Sequence, residues 1–177
     1  MPAVDPDICL RTADGVVFRY RVAALIVRDR RVLLAGNAKN AYLYSVGGGV
    51  QLFETAEQAL RRELLEETGW NLEPGPLVVI HENFFVEDAG ERWHELAFYY
   101  RVNVPDDFEP RGSSVTMDGV PERLRWVDLD DLPGLRAYPT WLADVVPHSD
   151  NATPDQGVRH IVTIEDAAGT AASGSAS

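Results

Sequence analysis

The segment SVGGGVQLFETAEQALRRELLEETGW, residues 45–70, constrains the fold more than any other part of the chain. A short apolar run, AYLYSV, meets Gly47, Gly48 and Gly49, and a helical pattern then runs from about Thr55 to Thr68. Thr55 stands where an N-cap belongs, Glu57 and Gln58 occupy the first turn, and Gly69 stands where a helix stops. The order is strand, glycine loop, helix. Such a loop leads into a helix with its carbonyl oxygens and N–H groups unobstructed by side chains.

At ~100° per residue, Glu63, Glu66 and Glu67 share one helical face with Ala56 and Ala59. Like charges four residues apart cost a helix roughly 0.2–0.5 kcal/mol per pair, and Arg62 reaches Glu66 without neutralising three carboxylates. By itself an acidic face reads as solvated surface. Beside a glycine loop it gains a second reading, because hard divalent cations take oxygen ligands and bridge carboxylates to phosphates.

The 177 residues fit one ordinary domain, expected over 1–165, with a small-residue tail, 166–177, expected to be disordered. A hydrophobic fraction of 45% with 25% charged residues is ordinary for a globular protein. The net charge of −12 opposes attraction to nucleic acid or anionic lipid, so a polyanionic substrate needs a cation as intermediary. Cys9 is the only cysteine, which rules out an intrachain disulfide and a thiolate zinc site. With no signal-peptide pattern at MPAVDPDICL and no long apolar run, a cytoplasmic protein without a membrane span is expected.

Around the central segment, VVFRYRVAALIVRDRRVLLAGN reads as a β-hairpin or meander split at RDRR. GPLVVIHENFFV and RWHELAFYYRVNV read as a long hairpin turning at EDAG, and residues 105–122 as a polar loop, a candidate lid over substrate. RLRWVDLDDLPGL gives a strand and a helix start, YPTWLADVV a short helix, and VRHIVTI a last strand. This is an α/β class with a mixed sheet and no strict βαβ alternation.

From Gly48 to Trp70 the chain resembles the Nudix box, G-x5-E-x7-R-E-U-x-E-E-x-G-U with U a bulky apolar residue. It matches at Gly48, Glu54, Arg62, Glu63, Leu64, Glu66, Glu67 and Gly69, with Trp70 where an aliphatic residue is usual. The resemblance implies an α/β/α sandwich with a mixed β-sheet and a pyrophosphate-cleaving hydrolase. Its substrates would be nucleoside di- or triphosphate derivatives, nucleotide sugars included, and its cofactor Mg2+ or Mn2+. Glu66 and Glu67 take the place of metal ligands, Glu63 that of a ligand or general base, and the Gly47 carbonyl completes the set. Arg62 and Glu54 form an orienting ion pair. The alternative is a Nudix-like module that senses a nucleotide without turning it over. A homodimer is ordinary for such proteins.

Substrate choice is less legible. The proline that ADP-ribose-cleaving subgroups carry after the box, and the tyrosine of diadenosine polyphosphate subgroups, are replaced by Phe84, Phe85 and Val86. Phe84, Phe85 and Trp93 are candidates for stacking on a base, alongside Gly48 as a backbone contact, although strand aromatics more often belong to a core. Glu95, Asp106, Asp107, Glu109, Asp118 and Glu122 are further acids, mostly expected on the surface.

Overall fold

The computed structural model describes residues 7–39, 41–87, 90–111, 120–149, 157–165 and 171–175. Among these residues eleven strands and two helices follow one another as β1 (Cys9–Arg11), β2 (Val16–Leu25), β3 (Val27–Arg28), β4 (Arg31–Asn37), β5 (Leu43–Ser45), α1 (Ala56–Thr68), β6 (Leu77–Val86), β7 (Arg92–Arg101), β8 (Glu122–Asp128), β9 (Ala137–Tyr138), α2 (Leu142–Ser149), β10 (Arg159–Glu165) and β11 (Ala171–Ser175). A short 3-10 turn spans Leu132–Gly134.

The strands form mixed sheets, as expected, and there are two of them among the described residues. One runs β1-β2-β7-β6-β10-β11; the other runs β3-β4-β5-β9, with β8 on the free side of β4. The stretch read as a local hairpin divides between them. β2 pairs in parallel with β7, and only β3 and β4 make the hairpin, turning at Asp29 and Arg30, both with positive φ. That two-residue turn suits the twist of the paired strands.

The long hairpin is present, with β6 and β7 antiparallel and Gly90 at φ 81° in the turn. β10 pairs in parallel with β6. Within the stretch expected to be a disordered tail, Ala171–Ser175 pair with β10 through the main chain, which needs no bulky side chains; 166–170 and 176–177 lie outside the described residues.

Side chains alternate across β2 and β7, and the core divides accordingly. Val22, Ala24 and Tyr100 pack under α1 with Leu60 and Leu64. Ala23, Leu25, Ala97 and Tyr99 face the other way, onto Trp141 and Leu142 at the start of α2 and onto Leu34 of the second sheet. Helices therefore cover opposite faces, the α/β/α sandwich expected. No described helix is long and apolar enough to cross a membrane.

Candidate active site

α1 begins and ends as its sequence dictates. Thr55 accepts from the Gln58 N–H at 3.2 Å while the Gln58 side chain accepts from the Thr55 N–H at 2.8 Å, a reciprocal capping box. Gly69, at φ 74°, closes the helix with its N–H on the Leu65 carbonyl. Trp70 departs from the box pattern and has a packing role. Its indole donates to the Glu109 carbonyl at 2.7 Å and its ring lies 5.5 Å from that of Phe108, which is fully buried. The expected lid is thus tied down over its first part, and its centre, 112–119, lies outside the described residues.

The glycine segment continues along the edge of β2, where Val22 donates to the Gly48 carbonyl and Ala24 to the Val46 carbonyl. Such close approach excludes side chains. A Cβ on Gly47 would stand 2.2 Å from the Val22 carbonyl oxygen, and one on Gly48 would stand 2.4 Å from the Glu63 carboxyl carbon. Gly48 therefore makes room for a carboxylate.

Glu63 and Glu67 are buried under this segment, 9% and 7% exposed, while the Glu66 side chain is 58% exposed. Glu67 accepts from the Gly47 N–H at 3.1 Å. Burial pushes the Glu67 carboxyl up to about 8, against the pull of Arg21, and Glu63 adds to the rise. Burial also raises Glu63, which Arg62 opposes. Arg62 grips Glu54 through two bonds of 3.0 and 2.9 Å, donates to the Gly49 carbonyl at 2.9 Å and also reaches Glu63. Its fork spans helix, loop and Glu54.

Several residues join the site that the sequence left out or placed on the surface. Arg21 donates to the Ser45 carbonyl at 2.8 Å and the Gly47 carbonyl at 3.0 Å. Glu95 is buried, and although burial alone would raise its carboxyl, Arg19 and Arg21 outweigh that and hold it below the usual range. Arg19 donates to it at 2.7 Å through Nε. Glu122 accepts from the Tyr44 hydroxyl. Asp7 lies against Gly49 and its charge adds to the rise at Glu63. One signal was available: Arg21 precedes an unbroken apolar run, VAALIV.

The stacking candidates do not form one patch. Strand alternation sends Phe84 to the α1 side of the sheet, stacked on His94 at 4.3 Å, whereas Phe85 and Trp93 lie on the Arg21 side, their ring centroids 5.9 Å apart and their planes nearly parallel. Phe84 is thereby separated from the other two.

The donor set fits a divalent cation in its chemistry. Among the described residues Glu54, Glu63, Glu66, Glu67 and Glu95 face three guanidinium groups, those of Arg19, Arg21 and Arg62, and burial leaves two of the carboxyls, Glu63 and Glu67, raised. Among the described residues no three acidic, His or Cys side chains are gathered at ligand distance. Glu63 is held by Arg62 and Glu67 by the Gly47 N–H. Holding an ion would require those two side chains to turn toward it.

Comparison with known proteins agrees with this architecture. Residues 17–149 match the family model described as the NUDIX domain. Over 131 residues the chain is 30% identical to a Caenorhabditis elegans protein named putative nudix hydrolase 1; the match takes in 70% of this chain and 32% of the relative, so the chain spans about a third of that relative's length. Among solved structures, a MutT NUDIX hydrolase from Burkholderia pseudomallei is 32% identical with a TM-score of 0.54, covering 71% of this chain and 95% of the other. A MutT protein from Bacillus halodurans, 18% identical, shares the fold with a TM-score of 0.61 over 86% and 94% of the two chains. Given the box at 48–70, which departs from its pattern at Trp70 alone, and the match across most of the chain, it belongs to the NUDIX family.

Proposed function

We propose that this protein hydrolyses a pyrophosphate linkage in a nucleoside di- or triphosphate derivative, with Mg2+ or Mn2+ held by Glu63, Glu66, Glu67 and the Gly47 carbonyl. The observation that carries this reading is the burial of Glu63 and Glu67 against a glycine segment with too little positive charge to balance them. A divalent ion would offset that charge, screen the substrate phosphates and acidify a water. Gly48 leaves room for the Glu63 carboxylate close to the backbone. Arg62, locked to Glu54, keeps Glu63 in place. A carboxylate raised toward neutral pH is suited to take the proton of the attacking water, and Glu67 and Glu63 are the two raised groups of the box. UDP-X diphosphatase and ADP-ribose pyrophosphatase are among proteins of this fold, which keeps nucleotide-linked diphosphates foremost.

The strongly negative chain and the single exposed Cys9 suit a cytoplasmic protein acting on a small nucleotide rather than on nucleic acid. The test is incubation with a panel of nucleoside di- and triphosphates and nucleotide sugars, with Mg2+ and then with EDTA, following phosphate, pyrophosphate and nucleoside monophosphate. Metal-dependent release of a monophosphate is expected. Binding without turnover across the panel would replace this reading with that of a nucleotide sensor.

A further inference from the structure

The arginines of the site spend their hydrogen bonds differently. Arg19 and Arg62 bond carboxylates directly. Arg21 instead donates to two carbonyl oxygens, Ser45 at 2.8 Å and Gly47 at 3.0 Å, and its Nε has no hydrogen-bond partner among the described residues. Two carbonyls need donors rather than a charge, and a neutral amide would serve them without an orphaned N–H. What the charge answers to is a set of carboxylates, since Glu95, Glu67 and Glu63 all act on Arg21 through space.

The main chain holds Arg21 against this oxygen. Arg21 bridges to Gly49, and the Val22 and Ala24 N–H groups bond the Gly48 and Val46 carbonyls on either side of Gly47. From the other flank Glu67 accepts the Gly47 N–H at 3.1 Å. A carbonyl oxygen together with carboxylates is the ligand chemistry of a hard divalent cation. Arg21 draws on the same oxygen and the same negative field that such an ion would use.

We infer that Arg21 competes with the divalent cation for the Gly47 carbonyl and for the carboxylate charge of Glu63 and Glu67, and so sets how tightly the site holds its ion. This rests on the reading that those groups, with Glu66, are the ion's ligands. Two cations that address one oxygen repel each other strongly at the low effective dielectric of a half-buried site. Loss of the Arg21 charge therefore tightens ion binding even as it loosens the fold. A residue that only clamps the glycine segment acts in the reverse sense, because its loss misplaces the Gly47 carbonyl and weakens the ion.

The experiment is binding of Mn2+ alone, without nucleotide, followed by electron paramagnetic resonance of the free ion, for the full chain and for its Arg21→Met, Arg21→Lys and Glu66→Gln variants, with circular dichroism to verify folding. Arg21→Met should bind Mn2+ about tenfold or more tighter than the wild type. Arg21→Lys keeps the charge and should stay close to the wild type. By linkage, Mn2+ should restore more stability in urea unfolding to Arg21→Met than it adds to the wild type. In the wild type the Arg21 side-chain nitrogen resonance, identified by its absence from Arg21→Lys, should shift as Mg2+ is added, a readout that does not need Arg21→Met to fold. Equal or weaker Mn2+ binding by folded Arg21→Met, or an Arg21 resonance unmoved at saturating Mg2+, would overturn this inference alone. Wild-type binding that Glu66→Gln does not weaken would overturn the reading of the α1 site and this inference with it.

Discussion

Arg21 sets its guanidinium 3.0 Å from the Gly47 carbonyl on one side of the glycine segment, while Glu67 accepts the Gly47 N–H from the other. One peptide-flanking glycine is thus held between a cation and an anion. The Arg21 charge also acts on Glu67, Glu63 and Glu95.

Removing that charge leaves buried carboxylates uncompensated. Arg21→Met should destabilise the protein by roughly 2–4 kcal/mol, less than a fully buried pair because Arg21 is only half-buried. Arg21→Lys should recover part of the loss, since one ammonium cannot reproduce the planar fork. Urea unfolding of the three proteins checks both statements.

Glu67→Gln should act in the opposite sense on stability. It keeps an acceptor for the Gly47 N–H and removes a carboxyl that burial raises to about 8 and that must therefore take up a proton on folding at pH 7. In EDTA at pH 7 the variant should match or exceed the wild type by about 1 kcal/mol in urea unfolding. A clear loss would mean that the carboxylate is compensated in the metal-free protein.

His81 gives a pH dependence. Burial lowers its imidazole to about 4 from the usual 6.5, so between those values the unfolded chain binds a proton that the folded protein does not. Stability from this group is complete above pH 6.5 and is lost as pH falls toward 4, by roughly 3 kcal/mol. His81→Gln should flatten that part of the profile, measured as the difference in urea midpoint between pH 7 and pH 4.5.

Phe108 anchors the start of the long loop beneath Trp70. Phe108→Ala should cost about 3–5 kcal/mol, as for a large aromatic removed from a core. Trp70→Leu, which restores the usual aliphatic residue, should cost less while freeing the Glu109 carbonyl; limited proteolysis within 105–111 would report the loosened loop.

What the sequence made legible was local or of fixed spacing. Thr55, Gln58 and Gly69 announce the ends of α1 because caps act over a few residues, and Glu63, Glu66 and Glu67 align because helical period alone decides it. What stayed hidden depends on distant pairings. Nothing near Arg19 or Arg21 signals a parallel partner in β7, and that pairing is what buries Glu95 between them. Phe84 and Phe85 look equivalent until the register with His94 and Trp93 sends them to opposite faces. The exposure of Glu66 beside buried Glu63 and Glu67 likewise depends on the glycine segment that lies over the helix.

The most direct measurement is turnover by Glu63→Gln, Glu66→Gln and Glu67→Gln on a nucleotide diphosphate derivative that the wild type cleaves with Mg2+. Circular dichroism verifies that each variant is folded. Losses of about 10²–10⁴-fold are expected in one or more of the folded variants, with wild-type activity abolished by EDTA and restored by Mg2+. Wild-type rates in all three, or hydrolysis that persists in EDTA, would contradict a metal-dependent site on this helix.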